Sequence, residues 1–197
     1  MCGDLSGKSA VRRELLAARG LMSTEDVEQA AAVLARQALG LAELTEAGTV
    51  AAYVSIGREP GTRALLDALR ARGVRVLLPV LKPDNDLDWG VYEGPEHLVR
   101  AGRGLLEPDG ERLGVDAVLE ADAVLLPGLA VDSRGMRLGR GGGSYDRVLA
   151  RLAAAGADPA LVVLLYANEV VERVPQEPHD HPVHAVVTPG SIRRFTA

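Results

Sequence analysis

The chain has 197 residues, of which 47% are hydrophobic and 25% charged, which is typical of a globular protein that buries a full core. Its net charge is −5, and no basic run with interleaved aromatic residues occurs, so we expect no nucleic-acid partner. No apolar stretch approaches the roughly 20 residues that a membrane-spanning helix needs, and no signal-type apolar run begins the chain, so we expect no membrane partner and a cytoplasmic location.

Two helices are predicted first, within residues 8–40. Apolar residues recur at helical spacing over residues 8–19, and a second helical pattern follows the capping residues Ser23 and Thr24 as far as Ala38. The first pattern is amphipathic, which predicts a helix that packs one face against the rest of the protein.

Residues 49–188 alternate strand-like and helical patterns and form the predicted core. Strands are predicted at 49–55, 74–79, 121–126, 161–166 and 184–188, the last near a sheet edge, and helices at 60–72 and 145–154. A strand, helix, strand unit implies parallel strands joined by a right-handed crossover. The predicted fold class is therefore α/β, a single catalytic domain over residues 1–197 with a mostly parallel, doubly wound Rossmann-like sheet flanked by helices.

Two segments are predicted to be irregular. Residues 82–113 are rich in Asp, Gly and Pro, and only 87–92 shows strand-like alternation, so we expect one short strand or hairpin with long loops. Residues 190–197 are expected to form a loose tail.

The most informative segment lies at residues 137–146, directly before a predicted helix. It contains four glycines within five positions, namely Gly139, Gly141, Gly142 and Gly143. This glycine run, residues 139–143, frees the backbone to turn several N–H groups toward one point. The N-terminus of the following helix adds partial positive charge there. Arg137, Arg140 and Arg147 bring full charges to the same end of the helix. This pattern is typical of a site that binds polyphosphate.

Two common phosphate motifs do not match this segment. It lacks the Gly-Lys-Ser/Thr ending of a Walker A loop, and Ser144 stands where a dinucleotide fingerprint has its third glycine. A flexible surface turn before a helix is the alternative interpretation. Asp146 follows the glycines and suits Mg²⁺ held beside phosphate, although an acid in a first helical turn has the same appearance.

Residues 127–147, PGLAVDSRGMRLGRGGGSYDR, closely resemble the signature of the 5-formyltetrahydrofolate cyclo-ligase family. Further family motifs occur in the same order along nearly the whole chain. They are Lys8-x-x-x-Arg12, Glu59-x-x-Thr62, Leu78-Pro79, residues 104–108 (GLLEP) and Pro178-His179-Asp180.

The resemblance implies an enzyme that converts 5-formyltetrahydrofolate to 5,10-methenyltetrahydrofolate with ATP and Mg²⁺, releasing ADP and phosphate. It implies that the formyl oxygen attacks the γ-phosphate and that N10 of the folate then closes on the activated carbon. Phosphoryl transfer depends on positioning and charge neutralisation more than on a protein nucleophile, which agrees with the residues present. The expected partner is this small-molecule substrate alone, with the chain acting as a monomer.

The resemblance also assigns roles to individual residues. Lys8 and Arg140 would be catalytic, neutralising phosphate charge, and Asp146 and Asp180 would hold Mg²⁺. The nucleotide would be bound by Lys8, Arg12, Arg137, Leu138, Gly139, Arg140, Gly141, Gly142, Gly143, Ser144 and Tyr145. The folate would contact Val54, Glu59 and Tyr145.

The sequence departs from the family pattern at two positions. Ser144 replaces the first of two usual tyrosines, and His184 replaces a common acidic residue. His184 also forms a cluster with His179 and His181, which could bind a transition metal. Such a metal site would lack thiolate ligands, because Cys2 is the one cysteine. Two further functions stay open, namely an α/β enzyme acting on a sugar phosphate or coenzyme A ester and a non-catalytic folate- or nucleotide-binding paralogue.

Overall fold

The computed structural model describes residues 5–177 and 180–195, so Cys2, Pro178 and His179 lie outside the described residues. The α-helices of this part of the chain are Leu5–Leu21 (α1), Thr24–Ala38 (α2), Ala42–Thr45 (α3), Arg63–Ala71 (α4) and Ser144–Ala155 (α5). The strands are Thr49–Ala51 (β1), Arg75–Leu81 (β2), Leu87–Val91 (β3), Leu98–Arg100 (β4), Leu106–Pro108 (β5), Ala123–Leu126 (β6), Ala130–Asp132 (β7), Arg137–Leu138 (β8), Ala160–Leu164 (β9), Val170–Val171 (β10), Ala185–Val187 (β11) and Ile192–Arg194 (β12).

The main sheet of the described residues has seven strands in the order β12-β11-β9-β6-β1-β2-β3. Its five inner strands are parallel to one another, and the two edge strands β12 and β3 are antiparallel to their neighbours. The strand order reverses at β1, because the chain leaves it first toward β2 on one side and later toward β6 on the other. The prediction of a mostly parallel, doubly wound sheet is confirmed.

Helices cover both faces of this sheet. Successive residues of an inner strand face opposite sides, so Val50 packs in the core cluster that contains residues of α2 and α4, and Ala51 packs in the cluster that contains residues of α5. Burial of leucines such as Leu66 and Leu149 holds these layers together. Each buried leucine contributes roughly 1.5–3 kcal/mol to the free energy of folding. Because both faces are covered, ligands can reach the sheet only at its ends.

Helix α1 packs away from these two layers, on a small sheet with the order β10-β7-β8. Its residue Leu15 is buried with Leu129, Met136 and Leu138. The amphipathic pattern of the first helix therefore faces the segment that leads into the glycine run. None of the helices in the described residues is both long and apolar enough to cross a membrane.

The prediction of a loose tail at residues 190–197 is wrong for part of that range. Strand β12 pairs with β11, and Arg194 forms an ion pair with Glu43 at 3.0 Å. Strand β11 is therefore the second strand from the edge. The segment 82–113 is also more regular than predicted, because β4 and β5 form a hairpin in addition to β3.

Candidate active site

A cavity of about 350 Å³ opens at the carboxyl ends of β1 and β6. Tyr53 and Val54 follow β1 and line one wall, and Pro127 and Gly128 follow β6 and line another. The strand order reverses between these two neighbouring strands, and such a reversal leaves a crevice in which ligands of open α/β sheets bind. The fold therefore places the cavity where a ligand site is expected.

All site residues predicted from the sequence line this one cavity. They are Lys8, Arg12, Val54, Glu59, Arg137, Leu138, Gly139, Arg140, Gly141, Gly142, Gly143, Ser144, Tyr145, Asp146 and Asp180. Segments separated by more than a hundred residues are thus brought together, although the roles of the individual residues stay predictions. Arg147, the third arginine near the glycine run, is exposed on α5 and lies outside the cavity lining.

The turn between β7 and β8 is held by the fully buried carboxylate of Asp132. It accepts hydrogen bonds from the backbone N–H groups of Arg134, Met136 and Val174 and from the Arg134 side chain. Burial alone would raise the pKa of Asp132, but these hydrogen bonds favour the charged form and lower it. The carboxylate therefore fixes the hairpin from which the glycine run extends.

The glycine run is in direct contact with α1. Arg12 donates from Nε to the carbonyl oxygen of Gly139 at 2.8 Å. Gly141 has φ +92°, and a Cβ atom there would lie 3.2 Å from the Arg12 guanidinium carbon. A Cβ atom at Gly139 would lie 2.8 Å from Nη1 of Arg137, so the Arg137 side chain would have to shift. The positive φ therefore favours glycine most strongly at Gly141, where the loop meets α1.

The Arg137 side chain connects the two ends of the glycine run to the cavity wall that follows β6. Its side chain is nearly buried and donates to the carbonyl oxygen of Pro127 at 2.9 Å and to Oδ1 of Asp146 at 3.2 Å. Burial lowers the pKa of the Arg137 guanidinium, which is nonetheless far too basic to lose its charge. The Asp146 side chain is half exposed and lies in the first turn of α5, where it can reach a ligand in the cavity.

Lys8 lies between two carboxylates. Its Nζ is 2.7 Å from Oε2 of Glu177 and 3.0 Å from Oδ2 of Asp180, and its side chain is 9% exposed. Burial alone would lower the pKa of Lys8, but the hydrogen bonds from Lys8 to Glu177 and Asp180 raise it, so the ammonium stays charged. Lys8 and Asp180, predicted as a phosphate ligand and a metal ligand, are thus in contact.

Glu59 joins the wall that follows β1 to the glycine run. Its Oε2 accepts from the backbone N–H of Ile56 at 2.9 Å, and its Oε1 is 3.3 Å from Nε of Arg140. The charged groups predicted to contact the folate and the nucleotide are therefore adjacent.

Tyr145 places a polar atom in the cavity wall without a partner. Its hydroxyl oxygen is buried and has no hydrogen-bond partner among the described residues. Burial raises the pKa of Tyr145, so the hydroxyl is a neutral donor at physiological pH. A buried hydroxyl without a partner is unfavourable by about 1–3 kcal/mol, and a ligand or water in the cavity would satisfy it.

Arg19 anchors the other end of α1 behind the cavity. It forms a bidentate, fully buried ion pair with Glu169, with contacts of 2.6 and 2.9 Å, and donates to the carbonyl oxygen of Gly128 at 2.8 Å. Gly128 lines the cavity, so this contact connects α1 to the cavity wall. Arg19 and Glu169 lie 150 residues apart, and no local sequence pattern marks either of them as a site residue.

The cavity has further lining residues that are not among the predicted site residues. Glu177 contacts Lys8, and Arg103 lies between two glycines in a motif whose neighbours, residues 104–108, already matched the family. Leu81, Leu87, Leu105 and Leu106 add an apolar wall. A local signal was present for the residues near 104–108, whereas Glu177 could be found only from its contact with Lys8.

The histidine cluster does not form a metal site in the described residues. Nδ1 of His184 accepts a hydrogen bond from the backbone N–H of Leu161 at 2.8 Å, which assigns this ring a structural role at the start of β11. No group of three or more His, Cys, Asp or Glu side chains suited to a metal occurs among residues 5–177 and 180–195. His179 lies outside these residues.

Comparison with known proteins identifies the family. Residues 4–189 match the sequence profile of the 5-formyltetrahydrofolate cyclo-ligase family. The chain belongs to this family. The 5-formyltetrahydrofolate cyclo-ligase of Mycolicibacterium smegmatis is 45% identical over 146 residues, covering 72% of this chain and 73% of that protein. The Escherichia coli K12 enzyme of the same name is 35% identical over 148 residues, covering 74% of this chain and 80% of that protein.

A solved structure supports the same assignment. The NMR structure of Aquifex aeolicus 5,10-methenyltetrahydrofolate synthetase superposes with a TM-score of 0.80 and 28% sequence identity, covering 96% of this chain and 93% of that one. The similarity to the cyclo-ligase family extends over nearly the whole chain. It therefore does not favour the two alternative functions, which were an enzyme acting on a sugar phosphate or coenzyme A ester and a non-catalytic paralogue. The family assignment also establishes the chain as a ligase of folate metabolism.

Proposed function

We propose that this cavity binds ATP, Mg²⁺ and 5-formyltetrahydrofolate together and that the chain catalyses cyclisation to 5,10-methenyltetrahydrofolate with release of ADP and phosphate. The observation that carries the proposal is the convergence of all the family motifs within the described residues on one cavity at the sheet reversal. Because one chain supplies all of these residues, we also propose that the monomer is active.

The phosphate end of the site is assigned to the glycine run and α1. Backbone N–H groups near Gly141 and Gly143, both with positive φ, precede the N-terminus of α5, an arrangement that favours phosphate oxygens. Lys8 and Arg140 would neutralise the charge that moves between oxygens during transfer. Arg12 and Arg137 would hold the loop in shape through their carbonyl contacts, with their charges directed at the same ligand.

The residues fit a magnesium ion that arrives with the nucleotide. Mg²⁺ in phosphoryl-transfer sites is usually bound by one or two carboxylates together with phosphate oxygens and water. Asp146 and Asp180 both line the cavity and are the carboxylates we assign to it. When bound, the ion would supply charge neutralisation on the phosphates.

The folate end is assigned to the wall formed by Val54, Glu59 and Tyr145. The formyl oxygen of the substrate attacks the γ-phosphorus and ADP leaves; N10 then attacks the activated carbon, loses its proton, and phosphate departs. The protein contributes orientation and exclusion of water from this sequence, and a nucleophilic side chain is not required. The unpaired Tyr145 hydroxyl can donate to a ligand atom at the junction of the two sites.

The direct test is turnover by the purified protein. With 5-formyltetrahydrofolate and Mg-ATP, we expect methenyl absorbance and ADP to appear at equal rates and both to stop when EDTA is added. ATP consumption that does not depend on the folate, or no consumption at all, would contradict the proposal.

The proposed metal role of Asp146 predicts a specific kinetic effect. Asp146→Ala should raise the Mg²⁺ concentration needed for half-maximal rate and lower kcat, both by about tenfold or more, because one of two carboxylate ligands is lost. Stability should change by no more than ~1 kcal/mol, since the side chain is half exposed.

The matched control is Asp158→Ala, because Asp158 is an exposed aspartate just beyond α5 and does not line the cavity. Magnesium titrations of the rate and thermal melts of both variants provide the comparison. An unchanged magnesium requirement in Asp146→Ala would reduce Asp146 to a charge at the helix end.

A further inference from the structure

The cationic side chains around the cavity come from two parts of the fold. Among the described residues, Lys8, Arg12, Arg137 and Arg140 belong to α1, β8 and the glycine run, whereas Arg103 belongs to the tip of the β4–β5 hairpin. The glycine run extends from the β7–β8 hairpin, which comes after β6 along the chain, and the β4–β5 hairpin packs on β2 and β3. Strands β6 and β2 are the two neighbours of β1, so the two cationic groups attach to opposite sides of the strand where the cavity opens.

Arg103 is held in an unusual backbone conformation. It has φ 60° and ψ 22° between Gly102 and Gly104, in the left-handed region that non-glycine residues rarely adopt. The other non-glycine residue of the described chain with positive φ is Asn85, and Nη1 of Arg103 donates to its side-chain oxygen at 3.2 Å. Such conformations are unfavourable by about 1–3 kcal/mol and concentrate at functional sites.

The side chains near Arg103 differ from those at the phosphate end. Leu81, Leu87, Leu105 and Leu106 line the same cavity, and Leu105 and Leu106 belong to the hairpin that carries Arg103. Arg103 is paired with a neutral amide, whereas a guanidinium forms its strongest hydrogen bonds with a carboxylate, often in a bidentate arrangement. An apolar wall that ends in an exposed arginine suits an apolar ring system that ends in a carboxylate.

The chemistry of the proposed reaction fixes which end of the substrate reaches this region. The formyl oxygen on N5 must approach the γ-phosphate, and N10 must lie within reach of the formyl carbon, so the pteridine lies toward the glycine run. The p-aminobenzoyl ring and the glutamate form the opposite end of the molecule and must extend away from the phosphates. The glutamate carries the carboxylates of the substrate, and Arg103 is the lining cation that the described residues place outside the phosphate end.

We propose that Arg103 is a specificity-determining residue that binds the glutamate carboxylates of the folate substrate. The proposal rests on the proposed function of the same cavity. It assigns Asn85 the role of orienting the guanidinium before the substrate binds, and it assigns the leucine wall to the p-aminobenzoyl ring. Arg103 takes no part in the transfer of the phosphoryl group.

The test compares Arg103→Gln with wild type on two substrates, 5-formyltetrahydrofolate and 5-formyltetrahydropteroate, which lacks the glutamate. For the first substrate, KM should rise about tenfold in Arg103→Gln, while kcat and the KM for ATP stay within about twofold of wild type. For the second substrate, wild type and Arg103→Gln should have equal KM values, because the group that Arg103 binds is missing.

Three further variants separate the effects on KM of the Arg103 charge, of the backbone strain at Arg103 and of a nearby charge outside the cavity. Arg103→Lys should recover part of the lost affinity, because it keeps the charge but not the planar fork. Arg103→Gly should show the same KM as Arg103→Gln with an equal or higher melting temperature, because glycine adopts positive φ without strain. Arg100→Gln, which removes an exposed charge on β4 outside the cavity lining, should leave the KM for both substrates unchanged.

The outcomes distinguish this proposal from the proposed function. If wild type turns over 5-formyltetrahydrofolate but Arg103→Gln has the same KM, or raises KM equally for the substrate without glutamate, the assignment of Arg103 is wrong and the proposed function stands. If wild type forms no methenyl product, the proposed function fails and the substrate assignment of Arg103 fails with it.

Discussion

Replacing Lys8 by methionine is expected to lower kcat/KM for ATP by at least about 100-fold, which corresponds to ~2.7 kcal/mol. Lys8 lies one helical turn before Arg12, whose side chain contacts the glycine run, so both charges face the proposed phosphate site. The Lys8 side chain is 9% exposed, and its charge would act on phosphate oxygens in a site with little water, where such interactions are strongest. Steady-state kinetics at saturating folate measure the effect.

Two other lysine variants provide the controls. Lys82→Met removes the other lysine of the chain, which lies outside the cavity lining, and should leave the kinetics unchanged. Lys8→Arg should recover only part of the activity, because the longer planar group places its charge elsewhere. Near-wild-type kinetics in Lys8→Met would show that Lys8 serves only to pair with Glu177 and Asp180.

The contacts of Lys8 also predict an effect of its replacement on stability. A lysine at the surface could be replaced without effect on melting, but Lys8→Met removes the cation that lies between the carboxylates of Glu177 and Asp180. We therefore expect a measurable loss of thermal stability at neutral pH. Because the folded protein raises the pKa of Lys8, the stability due to its charge is present below the ordinary lysine pKa and is lost as pH rises through the raised one.

Breaking the buried pair of Arg19 and Glu169 is expected to lower the free energy of unfolding by about 3–5 kcal/mol. The side chains are 4% and 1% exposed, so either substitution, Arg19→Met or Glu169→Gln, leaves a buried group without its partner. The double variant Arg19→Met/Glu169→Gln should lose less than the sum of the two single losses, because no unpaired charge remains. Chemical denaturation of all four proteins completes the double-mutant cycle.

A surface pair in the same protein provides the matched control. Arg75 and Glu120 are in contact at 2.7 Å, but their side chains are 41% and 65% exposed. Arg75→Met should therefore lower stability by less than ~1 kcal/mol. Equal losses from Arg75→Met and Arg19→Met would mean that burial does not strengthen the pair of Arg19 and Glu169, and additive losses in the cycle would mean that these two residues act independently.

Much of the fold was predictable because its signals are local. Buried parallel strands such as β6 and β9 are continuous apolar runs, and Ser23 forms the capping box that begins α2. Strand β12 was missed because Ile192–Arg194 is short and two of its three residues are exposed arginines. Its pairing with β11 and the contact of Arg194 with Glu43 depend on residues far away in the sequence.

The candidate site likewise contains residues that a local sequence signal marks and residues that only the folded structure brings together. The glycine run is conspicuous because four glycines in five positions exceed what a turn needs, and resemblance to the family added Lys8, Val54 and Asp180, which no local pattern marks. Arg19 and Glu169 are ordinary charged residues in the sequence and become a pair only in the folded protein. The pairing of Asn85 with Arg103 is likewise a property of backbone conformation that composition does not encode.

The anchoring of α1 has a consequence for how the protein is made. Lys8, Arg12 and Arg19 are synthesised well before their partners Asp180, Gly139, Gly128 and Glu169, which follow between 109 and 172 residues later. At ~5–20 residues per second, α1 waits roughly 5 to 35 seconds for these contacts, with its apolar face unprotected. Closing so long a loop is entropically unfavourable until its contacts form. Nascent chains are therefore inactive until residues as late as Asp180 have been synthesised, and until then α1 is open to chaperones and proteases.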